Sequence, residues 1–168
     1  MIAHLRCIHQ ILDALTSEKV YSTYIKLPTH YSPVPWEIRD SPDFWPFFKD
    51  CIGAIDGSHI PAFVSESLRA RFCDRKGQIL QNVLAACSMD MAFLYVLPSW
   101  QGSAADSRIF ESACREDFRI PDGRYYLADA GYGNCDTLLI PYRGVRYHLK
   151  EWGSSSNRPV LIRTHSNG

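Results

Sequence analysis

No segment of the chain approaches the roughly 18 consecutive apolar residues that a membrane-spanning helix needs. The first 15 residues are broken by His4, Arg6, His9 and Asp13, which argues against a secretory signal peptide. Neither sign of charge is in excess, with Lys+Arg and Asp+Glu at 18 each. Bulk charge therefore does not announce a nucleic-acid binder, and any such role has to come from local patches. Cys7, Cys51, Cys73, Cys87, Cys114 and Cys135 are scattered, and no two stand at C-x-x-C spacing. That argues against a zinc site, and the chain is too poor in cysteine to be a disulfide-stapled module. The six read as reduced thiols of a cytosolic or nuclear protein. There is no internal repeat and no low-complexity tract.

What is present is enough for one domain with a sizeable core: 168 residues, 46% of them hydrophobic. Ile2, Leu5, Ile8, Leu12 and Leu15 recur at helical spacing and predict one amphipathic packing helix over 2–15. Pro28, Pro33, Pro35 and Pro42 predict a linker or wrapping arm without regular structure. The aromatic run Phe44, Trp45, Phe47 and Phe48 reads as a hydrophobic plug leading into a first strand at 51–63. Gln81 to Met89 and Phe93 to Trp100 read as a second and third strand, joined into an antiparallel hairpin by Asp90, Met91 and Ala92. Asp106 opens a helix whose Ile109, Phe110 and Ala113 fall on one face, and 124–132 reads as a further strand.

Three carboxylates carry the chemical interest. Asp56 ends the short apolar run of the first strand and is followed by Gly57, which allows a close approach of backbone or ligand. An acid at that place is either a satisfied polar group or a ligand for a hard cation. Asp129 ends the later strand in the same form, apolar run, Asp, small residue. Asp106 in a first helical turn is ordinary on dipole grounds alone. If the first and fourth strands are neighbours in a mixed sheet, both strand-end acids meet at one edge, and a helix packed on the sheet can bring Asp106 there. Mg²⁺ and Mn²⁺ take a few carboxylate oxygens plus water and substrate phosphate. Two such ions clamp an in-line phosphodiester displacement. The run 66–77 holds Arg69, Arg71, Arg75 and Lys76 and reads equally as a solvated face or a phosphate-facing loop.

Five stretches carry a family resemblance. They are CIGAIDGSHIP (51–61), QNVLAAC (81–87), WQGSAADSRIF (100–110), YYLADAGY (125–132) and PYRGVRYHL (141–149). In this order they resemble the nuclease domain of PIF/Harbinger-type transposases, of the DDE superfamily (DDE Tnp4-like), over roughly residues 1 to 152. The resemblance implies an α/β, RNase H-like fold with helices on a mixed β-sheet, a nuclear location (with cytoplasm also open), and divalent-metal-dependent cutting and joining of DNA. Asp56 matches the first catalytic Asp and Asp106 the second, and Asp129 matches a further metal-site acid, with Mg²⁺ or Mn²⁺ as cofactor. Arg75, Lys76, Arg143 and Arg146 are expected to contact DNA phosphate, and a Myb/SANT-like DNA-binding protein is the expected partner.

The family's last acid is a Glu on a later helix, in a motif that residues 153–168 do not repeat; Glu151 lies too early to take that role. The expectation is therefore a nuclease core cut short at both ends, its last helix missing. Residues 1–50 would be an N-terminal helix and arm, 51–152 the core, and 153–168 a disordered or aberrant tail. The rival expectations are a catalytically inactive remnant that keeps the fold and a metal, DNA or protein contact, and a structural α/β module with no link to DNA.

Overall fold

The protein is described from a computed structural model, which covers residues 2–74, 76–133 and 135–142. Its elements run α1 (Ile2–Leu15), α2 (Glu18–Tyr24), α3 (Trp36–Arg39), β1 (Cys51–Pro61), α4 (Glu66–Phe72), β2 (Leu80–Cys87), β3 (Phe93–Gln101), α5 (Asp106–Glu116), β4 (Tyr125–Leu127) and β5 (Leu138–Leu139). The five strands form one mixed sheet in the order β3-β2-β1-β4-β5. β1 is antiparallel to β2 and parallel to β4, and β4 is parallel to β5. The first and fourth strands are thus neighbours, as an RNase H-like sheet requires, and the mixed α+β architecture is consistent with that fold.

Alternation decides which side of the sheet is core. Asn82, Leu84 and Ala86 of β2 are buried while the residues between them are only half-buried. In register with Ala86 stand Ile55 of β1 and Tyr95 of β3, and these share its face. α5 lays Ile109, Phe110 and Ala113 on that face, all three buried. The Phe118 ring packs between Tyr95 and Tyr126, at 4.7 and 5.3 Å between centroids. Tyr132 and Leu138 complete the cluster.

β1 changes character along its length. Cys51, Ile52, Gly53 and Ile55 are buried, whereas Asp56 and everything from Ser58 to Pro61 is exposed. The cause is topological. β4 pairs with β1 only from Cys51 to Ala54, so beyond Ala54 the strand has β2 on one side and, among the described residues, no strand on the other.

Several expectations change. Of the stripe of α1, Ile8, Leu12 and Leu15 are not packed, being 56% to 63% exposed. A second short helix, α2, follows it without a buried residue. The proline-rich arm carries the single turn α3, begun after Pro35 and burying Ile38. The aromatic run forms turns at the surface and is no plug, since Phe44, Trp45 and Phe47 are each more than 40% exposed. The strand read over 124–132 is three residues long, because the chain turns at Asp129, and β5 was not foreseen. Among the described residues no helix is long and apolar enough to cross a membrane. The tail at 153–168 lies outside the described residues.

Candidate functional site

Asp106 is the first residue of α5, preceded by Ala105, which offers no side-chain cap. Its carboxylate is half-buried and turned down onto the sheet. Asn82 Nδ2 donates to Asp106 Oδ1 at 2.6 Å and, more weakly, to the Ala104 carbonyl at 3.4 Å. Beneath the carboxylate is Gly57. A Cβ built there would collide with Asp106 Oδ1 and stand 2.5 Å from its Cγ. The group that needs the glycine is therefore the acid of α5, neither backbone nor ligand. One residue further out, His59 Nε2 lies 3.0 Å from the Gly102 carbonyl and ties β1 to the loop that leads into α5.

Asp56 and Asp129 are both exposed, and each closes a tight local bond. Asp56 Oδ1 accepts from the Gly57 N–H and Asp129 Oδ1 from the Gly131 N–H, both at 2.8 Å. The second is an Asx turn, and it is what ends β4. By the period of a strand, Asp56 leaves β1 on the opposite side from Gly57, past the last β4 pairing. Asp106 and Asp56 therefore approach from different sides of one strand.

What joins the three acids is Tyr132. Its ring is fully buried, against Phe110 at 6.2 Å between centroids. Burial, foremost, and then the charges of Asp106, Asp56 and Asp129 push its hydroxyl far above the ordinary tyrosine range. The charges of all three carboxylates are thus felt at one buried hydroxyl, that of Asp106 the most. Salt bridges among the described residues are Arg39–Asp40, Arg69–Glu66 and Arg115–Glu111, so none of the three acids is paired with a cation there. An oxygen-only, uncompensated donor set suits a hard divalent ion and not a thiol-seeking one. Among the described residues no three His, Cys, Asp or Glu side chains stand close enough to form a ready metal cage.

Of the basic residues picked from the sequence, Lys76 is exposed in the turn after α4, its N–H bonded to Asp74 Oδ1 at 2.8 Å. That excursion leaves β1 at Pro61, five residues or about 16 Å of strand beyond Asp56. Arg69 is engaged by Glu66 at 3.3 Å on a helix with no buried residue, so this part of the run is a solvated face. Arg75, Arg143 and Arg146 lie outside the described residues. Sequence reasoning missed Asn82. The available signal was a polar residue on the inward period 82, 84, 86 of an otherwise apolar strand.

Residues 55–161 match the family described as "DDE superfamily endonuclease". The chain belongs to that family. The matched segment contains all three acids and begins one residue before Asp56. "Putative nuclease HARBI1" of Rattus norvegicus is 24% identical over 139 residues, covering 81% of this chain and 39% of the rat protein. The chain thus spans well under half the length of that curated relative. No solved structure matches it.

Proposed function

We propose that this chain carries the metal-binding face of a DNA endonuclease of the transposase type, which cleaves a phosphodiester and transfers the strand. The observations that carry the reading are the family match over 55–161, which contains Asp56, Asp106 and Asp129, and the seating of the Asp106 carboxylate over Gly57, the residue next to Asp56.

A divalent ion, Mg²⁺ or Mn²⁺, supplies Lewis acidity at the scissile phosphate and a nucleophile of lowered pKa when bound. Asp56 and Asp106 would offer it hard oxygens from the first strand and the helix, and Asp129 from the turn after β4. Such ions need only one or two protein carboxylates, the remaining positions going to water and phosphate. An open arrangement of three acids is therefore compatible with binding on substrate. The buried Tyr132 ring fills the floor behind the acids, and its hydroxyl stays protonated at working pH. Water or a DNA 3′-hydroxyl is the attacking group. Lys76, with Arg75, Arg143 and Arg146, is proposed to hold phosphate. A Myb/SANT-like DNA-binding partner and a nuclear location belong to the same reading and rest on the family resemblance.

A second reading, a remnant that keeps the fold and a metal, DNA or protein contact without cleaving, is favoured by the lack of a three-ligand cluster among the described residues. Nicking of supercoiled plasmid separates the two. The endonuclease reading expects nicking that requires Mg²⁺ or Mn²⁺ and falls by about a hundredfold or more in Asp56→Asn, Asp106→Asn and Asp129→Asn, given what such ligands contribute. No nicking, or equal nicking by the Asp56→Asn chain, sinks it.

A further inference from the structure

We infer that Asn82 is the positioning residue of the metal site, holding the Asp106 carboxylate in the orientation in which it receives a cation. The inference rests on the metal-site reading above and extends it to a residue that touches neither metal nor DNA. Asn82 is fully buried, on a strand face otherwise given to Leu84 and Ala86. Its amide donates to Asp106 Oδ1 at 2.6 Å and, more weakly, to the Ala104 carbonyl at 3.4 Å. Its own Oδ1 is buried with no hydrogen-bond partner. A leucine would fill nearly the same volume without that unmet acceptor. What the amide provides and an apolar isostere cannot is a donor aimed at the carboxylate.

Gly57 supplies the steric half of the same cradle. Asn82 Oδ1 lies 3.1 Å from where a Gly57 Cβ would stand, so amide and glycine bound one space, and Asp106 Oδ1 fills it. A carboxylate with one oxygen fixed from below has lost most of its rotational choice before any ligand arrives. Ligands held in this way by outer-shell partners are what give metal sites their affinity. A bond that merely pinned α5 to β2 would be felt in stability and not in metal affinity, and this separates the two roles.

The test is calorimetric titration of the full chain with Mn²⁺ alone, beside its melting temperature. Wild type is expected to bind Mn²⁺, and Asp56→Asn to weaken or abolish that binding. Asn82→Leu is expected to lower the melting temperature by roughly 2–8 °C, because it removes the unmet acceptor but leaves Asp106 Oδ1 and the Ala104 carbonyl without this donor. Its Mn²⁺ affinity should fall by about tenfold to a hundredfold, the usual effect of losing an outer-shell partner. Should the leucine variant fail to fold, Asn82→Ala, titrated below its own melting temperature, is read by the same standard. Affinity within about threefold of wild type, with or without a lowered melting temperature, overturns the positioning role and leaves the metal site standing, since a true partner costs more. A wild-type chain that binds no Mn²⁺ overturns the metal reading, and the role of Asn82 falls with it.

Discussion

At position 57 the side chain that matters is one that cannot be there. The Asp106 carboxylate occupies the volume a Cβ would need, and Asn82 closes the space from the side. Gly57→Ala should therefore destabilise the fold by about 1–3 kcal/mol, the cost of overpacking a filled site. Asp106→Ala removes the obstructing group, so the double variant Gly57→Ala/Asp106→Ala should lose less than the two single changes added together. Urea denaturation of the four proteins checks this, and strict additivity would contradict it. The three acids stand out in the sequence because each follows an apolar run or opens a helix, yet Asp56 falls in the middle of β1 and Asp129 two residues past β4, and only Asp106 is at the end of an element. Asn82 does not stand out. A buried asparagine inside a strand looks like any β residue until its partner, 24 positions later in the chain, is placed above it. A still longer separation along the chain hid the meaning of Gly57, which signalled a close approach without saying of what.

The elements that could be read were those with a clean period and a core to face. β2 alternates, β3 pairs with it through a short turn, and α5 buries the three residues its spacing singled out. Elements without that support were missed. α2 buries nothing, and β5 is two residues held in register by β4. β4 itself was read too long, because the Asx turn at Asp129 overrides an apolar continuation. The β2–β3 turn is a further case. The connection is Ser88 to Ala92, longer than the Asp90–Ala92 turn the sequence predicts because β2 ends at Cys87, and within it Met91 adopts φ 67°, a conformation that costs a side chain bearing a Cβ. Its side chain is 77% exposed and contributes little packing. Met91→Gly should therefore stabilise the hairpin by about 1 kcal/mol, and Met91→Ile should cost at least as much in the other direction. Thermal melts of the two variants decide it, and a destabilised glycine variant would count against the strain.

Over the whole molecule, the balanced charge that concealed any partner leaves pH dependence to the interior. Burial is the leading cause that raises Tyr95, Tyr125, Tyr126 and Tyr132 above the tyrosine range, and it pushes the Cys51 thiol up to about 11. The sign follows from proton counts. Below about pH 8.5 these groups are protonated in folded and unfolded chains alike and contribute no slope. Above that the unfolded chain releases the Cys51 proton, and from about pH 10 the tyrosine protons, which the folded chain still holds. The native state then binds more protons, so stability falls as pH rises. Urea midpoints should decline from about pH 8.5 and more steeply past 10. Tyr126 gives the sharpest test, because its hydroxyl is buried with no hydrogen-bond partner. Tyr126→Phe removes an unmet polar group and keeps the ring packed on Phe118. The variant should be as stable as wild type or more so at pH 7.5, and should lose less on going to pH 10.5. A loss at neutral pH beyond about 1 kcal/mol would mean that the hydroxyl is satisfied in the folded protein, and that part of the alkaline slope would have to be assigned elsewhere.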